Sequence, residues 1–217
     1  GGVYTLVDLP GTYSLLSHSK EEEIARDFLC FGEADAAVVV CDATCLERNL
    51  ILALQITEVI ERVVTCINLM DEARKKQITV DLSELERRLG VPVVATSARS
   101  GKGLEELKRK VEQVCERSPQ PAEIPYRQAV EGALEVLAPV VRECAQGRVR
   151  ERWLSLALLM DQKELLKGVE SKLGPDWQQD PKLQAALCDA NELLRRGGFS
   201  SASMEEAVTA CTVLAAE

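Results

Sequence analysis

Apolar and polar positions follow two different periods in the first half of the chain, and only one of them continues into the second half. Short apolar runs rich in β-branched residues are typical of strands, and they occur at 3–7, 36–41, 62–67 and 91–95. Apolar residues at helical spacing lie between and after them, at 20–30, 46–60, 81–89 and 103–115. This alternation predicts a mostly parallel sheet with helices on both faces.

A proline-rich stretch separates the two halves. Pro119, Pro121 and Pro125 lie close together, and such prolines end the preceding helix and make a linker. Beyond them the strand pattern is absent, and helical spacing recurs at 129–144, 150–160, 163–173, 181–196 and 203–216. We therefore predict an α/β domain at 1–117, a linker at 118–125 and an all-α domain at 126–217.

Composition narrows the function classes. The 217 residues carry a formal net charge of -9, with 26 Lys and Arg against 35 Asp and Glu. Nucleic-acid binders usually present a basic face, so the balance argues against that class. It does not exclude a nucleotide, which backbone N–H groups and one metal ion can hold locally. No run reaches the ~20 consecutive apolar residues that a membrane-spanning helix needs.

The eight cysteines form no Cys-x-x-Cys pair. Most lie inside apolar runs, which favours small buried thiols in a reducing compartment. A redox or metal-binding pair formed by Cys41 and Cys45 is the alternative.

Candidate binding residues follow the first predicted strand. Ligands of parallel α/β sheets bind beyond the carboxyl ends of the strands. This predicted strand ends at Asp8, and Leu9, Pro10 and Gly11 follow it. The Asp8 carboxylate could hold a hydrated Mg2+. Gly11 lacks a Cβ, so its N–H can approach a phosphate oxygen. Taken alone, the pattern fits a tight turn equally well.

Two further motifs follow later strands. Asn68, Leu69, Met70 and Asp71 come after one, and Ser97, Ala98 and Arg99 come after the next. A carboxylate placed like that of Asp71 can accept two parallel hydrogen bonds from guanine, whereas adenine offers no such pair of donors. Small residues at 97–98 let a backbone N–H approach a ring carbonyl. Each motif alone could be loop or helix cap, but their order along one sheet favours a guanine-nucleotide site.

With these motifs in place, residues 1–117 resemble the later part of a P-loop GTPase domain. More narrowly, LVDLPGTYSL (6–15), EEEIARDFL (21–29), VVVCDATCLERNL (38–50), NLMDEARKK (68–76) and LGVPVVATSARSGKGLEEL (89–107) resemble FeoB-type ferrous-iron transporters. The helical half, with RWLSLALL at 152–159, resembles the domain that links their GTPase to a membrane channel.

The resemblance implies ligands and partners that the residues alone do not. It implies GTP or GDP bound at Asp8–Gly11, Asn68–Asp71 and Ser97–Arg99, with Mg2+ held by Asp8 through water, and it admits K+ as a further ion. It implies slow GTP hydrolysis coupled to Fe2+ uptake, a membrane channel domain in the same parent chain and small cytosolic partner proteins. The expected location is the cytoplasmic face of a bacterial membrane.

The sequence also departs from the GTPase pattern. A P-loop requires G-x-x-x-x-G-K-[ST], and these residues contain no such string. Thr12 stands where many GTPases have a glutamine that orients the attacking water. We expect a segment of a longer protein that lacks the P-loop and first switch and is inactive by itself. The alternatives are a soluble ribosome-assembly GTPase and a non-catalytic protein-interaction module.

Overall fold

Three parallel strands form the sheet. The computed structural model describes residues 3–12, 15, 19–31 and 34–216. Its strands are β1 (Ala37–Asp42), β2 (Val63–Asn68) and β3 (Val93–Ala95), paired in the order β1-β2-β3. Asp42 pairs with Asn68 in the register of β1 and β2, so both of these strands end at the same edge.

Helices cover both faces of this sheet, as predicted. In the first half they are α1 (Lys20–Phe31), α2 (Leu46–Val59), α3 (Met70–Lys75), α4 (Leu82–Leu89) and α5 (Leu104–Glu116). Val64 and Val94 pack with Val114 of α5 on one face. Val63 and Ile67 point to the opposite face, because successive strand residues alternate, and belong to the larger core that includes α2. The sequence pattern missed α3, which has only six residues.

The prediction of a strand at 3–7 is wrong. Residues 3–12 form neither strand nor helix, and the side chains of Val3 and Leu6 are almost wholly exposed. A strand needs a neighbour that completes its backbone hydrogen bonds, and apolar composition does not supply one. Partial desolvation and the neighbouring Glu112 of α5 raise the pKa of Tyr4.

Local sequence signals set two of the helix ends. At the start of α1, Ser19 and Glu22 form a reciprocal capping box, in which each side chain accepts the other residue's N–H. The C-terminal end of α4 is Gly90, with φ of 67°, as its sequence position predicted. A Cβ there would lie 2.2 Å from the Gln120 carbonyl oxygen, so the linker packs closely against this glycine.

The second half consists of helices in the described residues. They are α6 (Gln128–Ala145), α7 (Glu151–Leu159), α8 (Lys163–Leu173), α9 (Pro181–Arg196) and α10 (Ser201–Ala216). Their bounds lie within two residues of those predicted. Of these helices, α6, α8 and α9 carry a clear apolar stripe of helical period. No helix in the described part of the chain is both long and apolar enough to cross a bilayer.

The two halves share one hydrophobic core. The same cluster of buried residues contains Ile56 of α2, Trp153 of α7 and Val208 of α10, together with Ile124 of the linker. Phe31 of α1 packs so closely on α8 that a Cβ on Gly168 would lie 2.6 Å from its ring. The division at 118–125 stays a prediction, and the linker is anchored to the core by the buried side chain of Ile124, whereas Ser118, Gln120, Glu123 and Pro125 are exposed.

The cysteines are only partly the buried thiols that we predicted. All eight are free, but only Cys41 and Cys66 are buried, whereas Cys45 and Cys188 are exposed. Burial raises the pKa of Cys41 to about 12, so its thiol stays protonated. Within the described ranges, no group of three or more His, Cys, Asp or Glu residues could hold a metal ion.

Candidate nucleotide site

The Asn68 side chain is held at the carboxyl end of β2. Its Oδ1 accepts the hydroxyl of Thr96 at 3.0 Å and the backbone N–H of Ala98 at 3.0 Å. The Ala98 N–H can only donate, so the oxygen of the amide must face it, and Nδ2 points the other way. The amide is therefore oriented before any ligand binds, with its two N–H donors turned away from the protein groups that fix its oxygen.

The Asp71 carboxylate lies in the first turn of α3. Its own backbone N–H lowers its pKa, opposed by partial desolvation and assisted by the Ser97 side chain. The carboxylate is therefore ionised at neutral pH and can accept hydrogen bonds from a ligand. Leu69, which precedes α3, has φ of 62°, a left-handed conformation that side chains rarely adopt. This turn carries the chain from Asn68 at the strand end to Asp71 on the helix.

The loop after β3 completes this group of residues. Ser97 is buried and its N–H donates to the Lys102 carbonyl at 3.0 Å, which closes the loop as a short bridge. Ala98 and Arg99 begin a single 3-10 turn and are exposed. The structure therefore brings four predicted residues together, namely Asn68, Asp71, Ser97 and Ala98, with Arg99 at the exposed rim.

Gly103 is expected to tolerate no side chain. Its φ is 83°, and a Cβ would lie 2.2 Å from the Ala95 carbonyl oxygen at the end of β3. Gly101 has a similar φ of 73° but has open space around it. We expect Gly101→Ala to cost ~1 kcal/mol of unfolding free energy from the left-handed conformation, and Gly103→Ala to cost clearly more. Urea denaturation of both variants measures this, and equal losses would contradict the close approach.

The segment Asp8–Gly11 lies before α1 and has no regular secondary structure. Asp8 and Gly11 are exposed, and Leu9 and Pro10 are half-buried, in a stretch without regular structure. Asp8 offers one exposed carboxylate, which suits a hydrated Mg2+ that takes its other ligands from water and phosphate. Of the residues between Gly11 and α1, 13, 14 and 16–18 lie outside the described residues.

Sequence reasoning missed two side chains that support the site. Thr96 contacts Asn68, and its hydroxyl also lies 3.2 Å from the sulfur of Cys66. Both residues are almost wholly buried. The sequence does carry one indication of the contact with Cys66. Cys66 and Asn68 are two residues apart on one strand, so their side chains lie on the same face of the sheet.

Comparison with known proteins identifies relatives for most of the chain. A family model described as ferrous iron transport protein B matches residues 2–111, slightly more than half of the sequence. The Fe(2+) transporter FeoB of Salmonella typhimurium is 43% identical over 112 residues, which are 50% of this chain and 14% of that protein. FeoB of Escherichia coli K12 is 36% identical over 160 residues, 71% of this chain and 20% of that protein. The chain thus spans about a fifth or less of these relatives.

Solved structures extend the similarity into the helical half. The cytosolic domain of the T. maritima FeoB iron transporter in its GMPPNP form is 30% identical, with a TM-score of 0.68 over 90% of this chain and 84% of that one. The mGMPPNP-bound NFeoB of S. thermophilus is 28% identical, with a TM-score of 0.77 over 96% and 75%. These matches confirm the predicted fold class, and with the family model they show that the chain belongs to the family of ferrous iron transport protein B.

Proposed function

We propose that this chain is the guanine-nucleotide-binding, cytosolic part of a bacterial ferrous-iron transporter. The observation that carries the proposal is the fixed orientation of Asn68 beside the ionised Asp71. An amide donor and a carboxylate acceptor side by side complement the acceptor and donor edges of guanine. The relatives solved with GMPPNP, GDP and mGMPPNP support the same class of ligand.

Asp71 and Asn68 divide the recognition of the base between them. The carboxylate accepts the ring N–H and the amino group of guanine, and the Nδ2 donors of Asn68 face its acceptor edge. Adenine would place an acceptor against the carboxylate and leave it unpaired, which is how the site discriminates. The approach of a backbone N–H at 97–98 to a ring carbonyl stays a prediction. In this structure the Ala98 N–H donates to Asn68 Oδ1.

The phosphate end of the site rests on Asp8 and Gly11. A side chain at Gly11 would meet nothing within 4 Å, so its backbone lies open to a ligand. Mg2+ held by Asp8 through water would supply charge to neutralise the phosphates when bound. Thr12 is shorter than the glutamine that many GTPases use to orient water, so we propose that hydrolysis in the parent protein is slow. K+ as a further ion remains part of this proposal.

Iron transport is proposed for the parent protein rather than for this chain. The relatives are named Fe(2+) transporters, and the chain covers only 14% to 20% of their length. We place a membrane channel domain in the same parent chain, this part at the cytoplasmic face of the membrane, and small cytosolic proteins of iron uptake among its partners. The family match disfavours the ribosome-assembly GTPase. The oriented Asn68 amide beside the ionised Asp71 disfavours a protein-interaction module that binds no nucleotide.

Nucleotide titrations of the full-length protein and of the 217 residues alone test this function. The full-length protein is expected to bind GDP at least about a hundredfold more tightly than ADP, because a mismatched base leaves polar groups unpaired. The 217 residues alone are expected to bind GTP weakly and not to hydrolyse it, since they lack the G-x-x-x-x-G-K-[ST] backbone and lysine that hold phosphates.

Two results would contradict these expectations. Equal affinity of the full-length protein for GDP and ADP would refute the guanine site. Micromolar or tighter GTP binding by the 217 residues would show that another segment of this chain cradles the phosphates.

A further inference from the structure

The Asn68 amide is the end of a buried chain of hydrogen bonds. Cys66 and Asn68 lie on the same face of β2. Thr96 is the residue that follows β3, and its side chain contacts both of them. The Thr96 hydroxyl lies 3.2 Å from the Cys66 sulfur and donates to Asn68 Oδ1 at 3.0 Å. Cys66 is 4% exposed and Thr96 is 1% exposed, so water does not compete for these contacts.

The direction of every donor in this chain is determined. Asn68 Oδ1 faces the Ala98 N–H, so the amide oxygen is the acceptor of the Thr96 hydroxyl. Thr96 has a single hydroxyl proton, which this bond uses. The Cys66 thiol must therefore donate its S–H to the Thr96 oxygen. Burial raises the pKa of Cys66, which keeps the sulfur protonated as this role requires.

The backbone holds Thr96 in place. Its N–H donates to the Ile67 carbonyl at 2.8 Å, and its carbonyl accepts the Met70 N–H at 3.2 Å. The residue is thus tied both to the end of β2 and to the start of α3. Rotation about χ1 is the remaining freedom of its side chain, and contact with the Cys66 thiol and the Asn68 amide defines one rotamer.

We propose that Cys66 and Thr96 are positioning residues for the guanine base, which act by fixing the Asn68 amide with Nδ2 toward the ligand. This inference rests on the proposed function, because it deepens the same base site. Removal of the Thr96 hydroxyl leaves the amide with one donor, from Ala98, and lets the side chain rotate. Removal of the Cys66 donor frees the Thr96 hydroxyl to turn away from Asn68.

Variants of Thr96 in the full-length protein give the first test. Thr96→Val, which keeps the side-chain shape, is expected to weaken GDP binding about tenfold, the worth of one hydrogen bond in a buried site. Thr96→Ser is expected to retain wild-type affinity. In an Asn68→Ala background the cost of Thr96→Val should vanish, since no amide is left to position. An equal cost in both backgrounds would mean that Thr96 acts structurally, which overturns the proposal.

Variants of Cys66 give the second test, with a matched control. Cys66→Ala is expected to weaken GDP binding severalfold, and Cys66→Ser, which keeps a donor, to restore it. Cys41→Ala removes another buried thiol, whose nearest acceptor is the Asn49 carbonyl at 3.8 Å, and is expected to leave GDP affinity unchanged. If Cys66→Ala and Cys41→Ala have the same effect, or if serine does not restore binding, the role of the thiol is refuted.

A spectroscopic measurement tests the contact without any nucleotide. The infrared S–H stretching band that disappears in Cys66→Ala belongs to Cys66, and Thr96→Val is expected to move it to the higher frequency of an unbonded thiol. A band that stays in place would overturn the chain of hydrogen bonds even if GDP binds as proposed. Conversely, wild-type protein that binds GDP and ADP equally would remove the guanine site, and with it the positioning role, whatever the band shows.

Discussion

Replacement of Asp71 by asparagine in the full-length protein is expected to weaken GTP binding between about tenfold and a hundredfold. The lost interaction is a charge-assisted pair of hydrogen bonds, worth ~1.5–3 kcal/mol. The new amide presents an N–H2 group or a single carbonyl where guanine needs two acceptors. Xanthine nucleotides carry a ring carbonyl in place of the amino group, so the variant is expected to bind xanthosine triphosphate more tightly than the wild type does.

Calorimetric titration with GTP and xanthosine triphosphate measures both changes. Glu72→Gln is the matched control, because Glu72 is the next carboxylate on α3 and pairs with Lys75 at the surface at 2.7 Å. It is expected to change neither affinity. Unchanged affinity of Asp71→Asn for both nucleotides would rule out Asp71 as the group that reads the base.

The helices of this chain could be predicted because their signals are local. The stretch at 163–173 forms α8 with the predicted bounds, and α9 begins at Pro181, which suits the first turn of a helix. Gly90 ends α4 with positive φ, as its position after an apolar stripe indicated. In each case the residues that decide the element lie within it or next to it.

The errors concern features that depend on distant parts of the chain. Residues 3–7 have strand-like composition, but composition does not supply the neighbouring strand whose hydrogen bonds would make them one. Thr96 and Cys66 carry no motif of their own, and their part in the site follows from the pairing of β2 with β3. The site residues could be predicted because GTPase motifs are continuous in the sequence, whereas their supporting contacts depend on which strands lie side by side in the fold.

A buried ionic cluster between the two halves was likewise outside the reach of sequence patterns. Arg152 of α7 donates to Glu131 of α6 at 2.9 Å and to the Ile124 carbonyl at 2.9 Å, and its Nε lies 3.7 Å from Glu58 Oε2 on α2. Its guanidinium also lies over the Tyr126 ring at 5.1 Å. In the sequence, Arg152 is one polar residue in the first turn of a helix that is otherwise mostly apolar. The fold makes it the positive centre between two carboxylates and the linker.

Replacement of Arg152 by methionine is expected to destabilise the chain by ~3–5 kcal/mol, because it leaves the Glu58 carboxylate buried without its main counter-charge, with only the weaker effect of Arg150 remaining. Glu58 is 7% exposed, and its Oε2 has no hydrogen-bond partner within the described structure even when Arg152 is present. Arg142→Met is the matched control, since Arg142 also joins α6 to α7, through Glu151, but its side chain is 68% exposed. That variant is expected to lose less than ~1 kcal/mol.

The pH dependence of Arg152→Met distinguishes an unpaired charge from lost packing. Burial raises the pKa of Glu58, opposed mainly by Arg152, so removal of the arginine raises it further. A raised folded-state pKa means that the folded chain keeps a proton on Glu58 at pH values where the unfolded chain has released it. The contribution of Glu58 to stability is therefore fully present below the ordinary glutamate pKa. It is lost as the pH rises through the folded-state pKa. Urea denaturation should therefore show a larger loss for Arg152→Met at about pH 8 than at about pH 5. Glu58→Gln combined with Arg152→Met should recover part of the stability at the higher pH, because no charge is left to bury. A loss that is the same at both pH values, and that the second substitution does not reduce, would show that Arg152 stabilises the junction of the two halves through its packing alone.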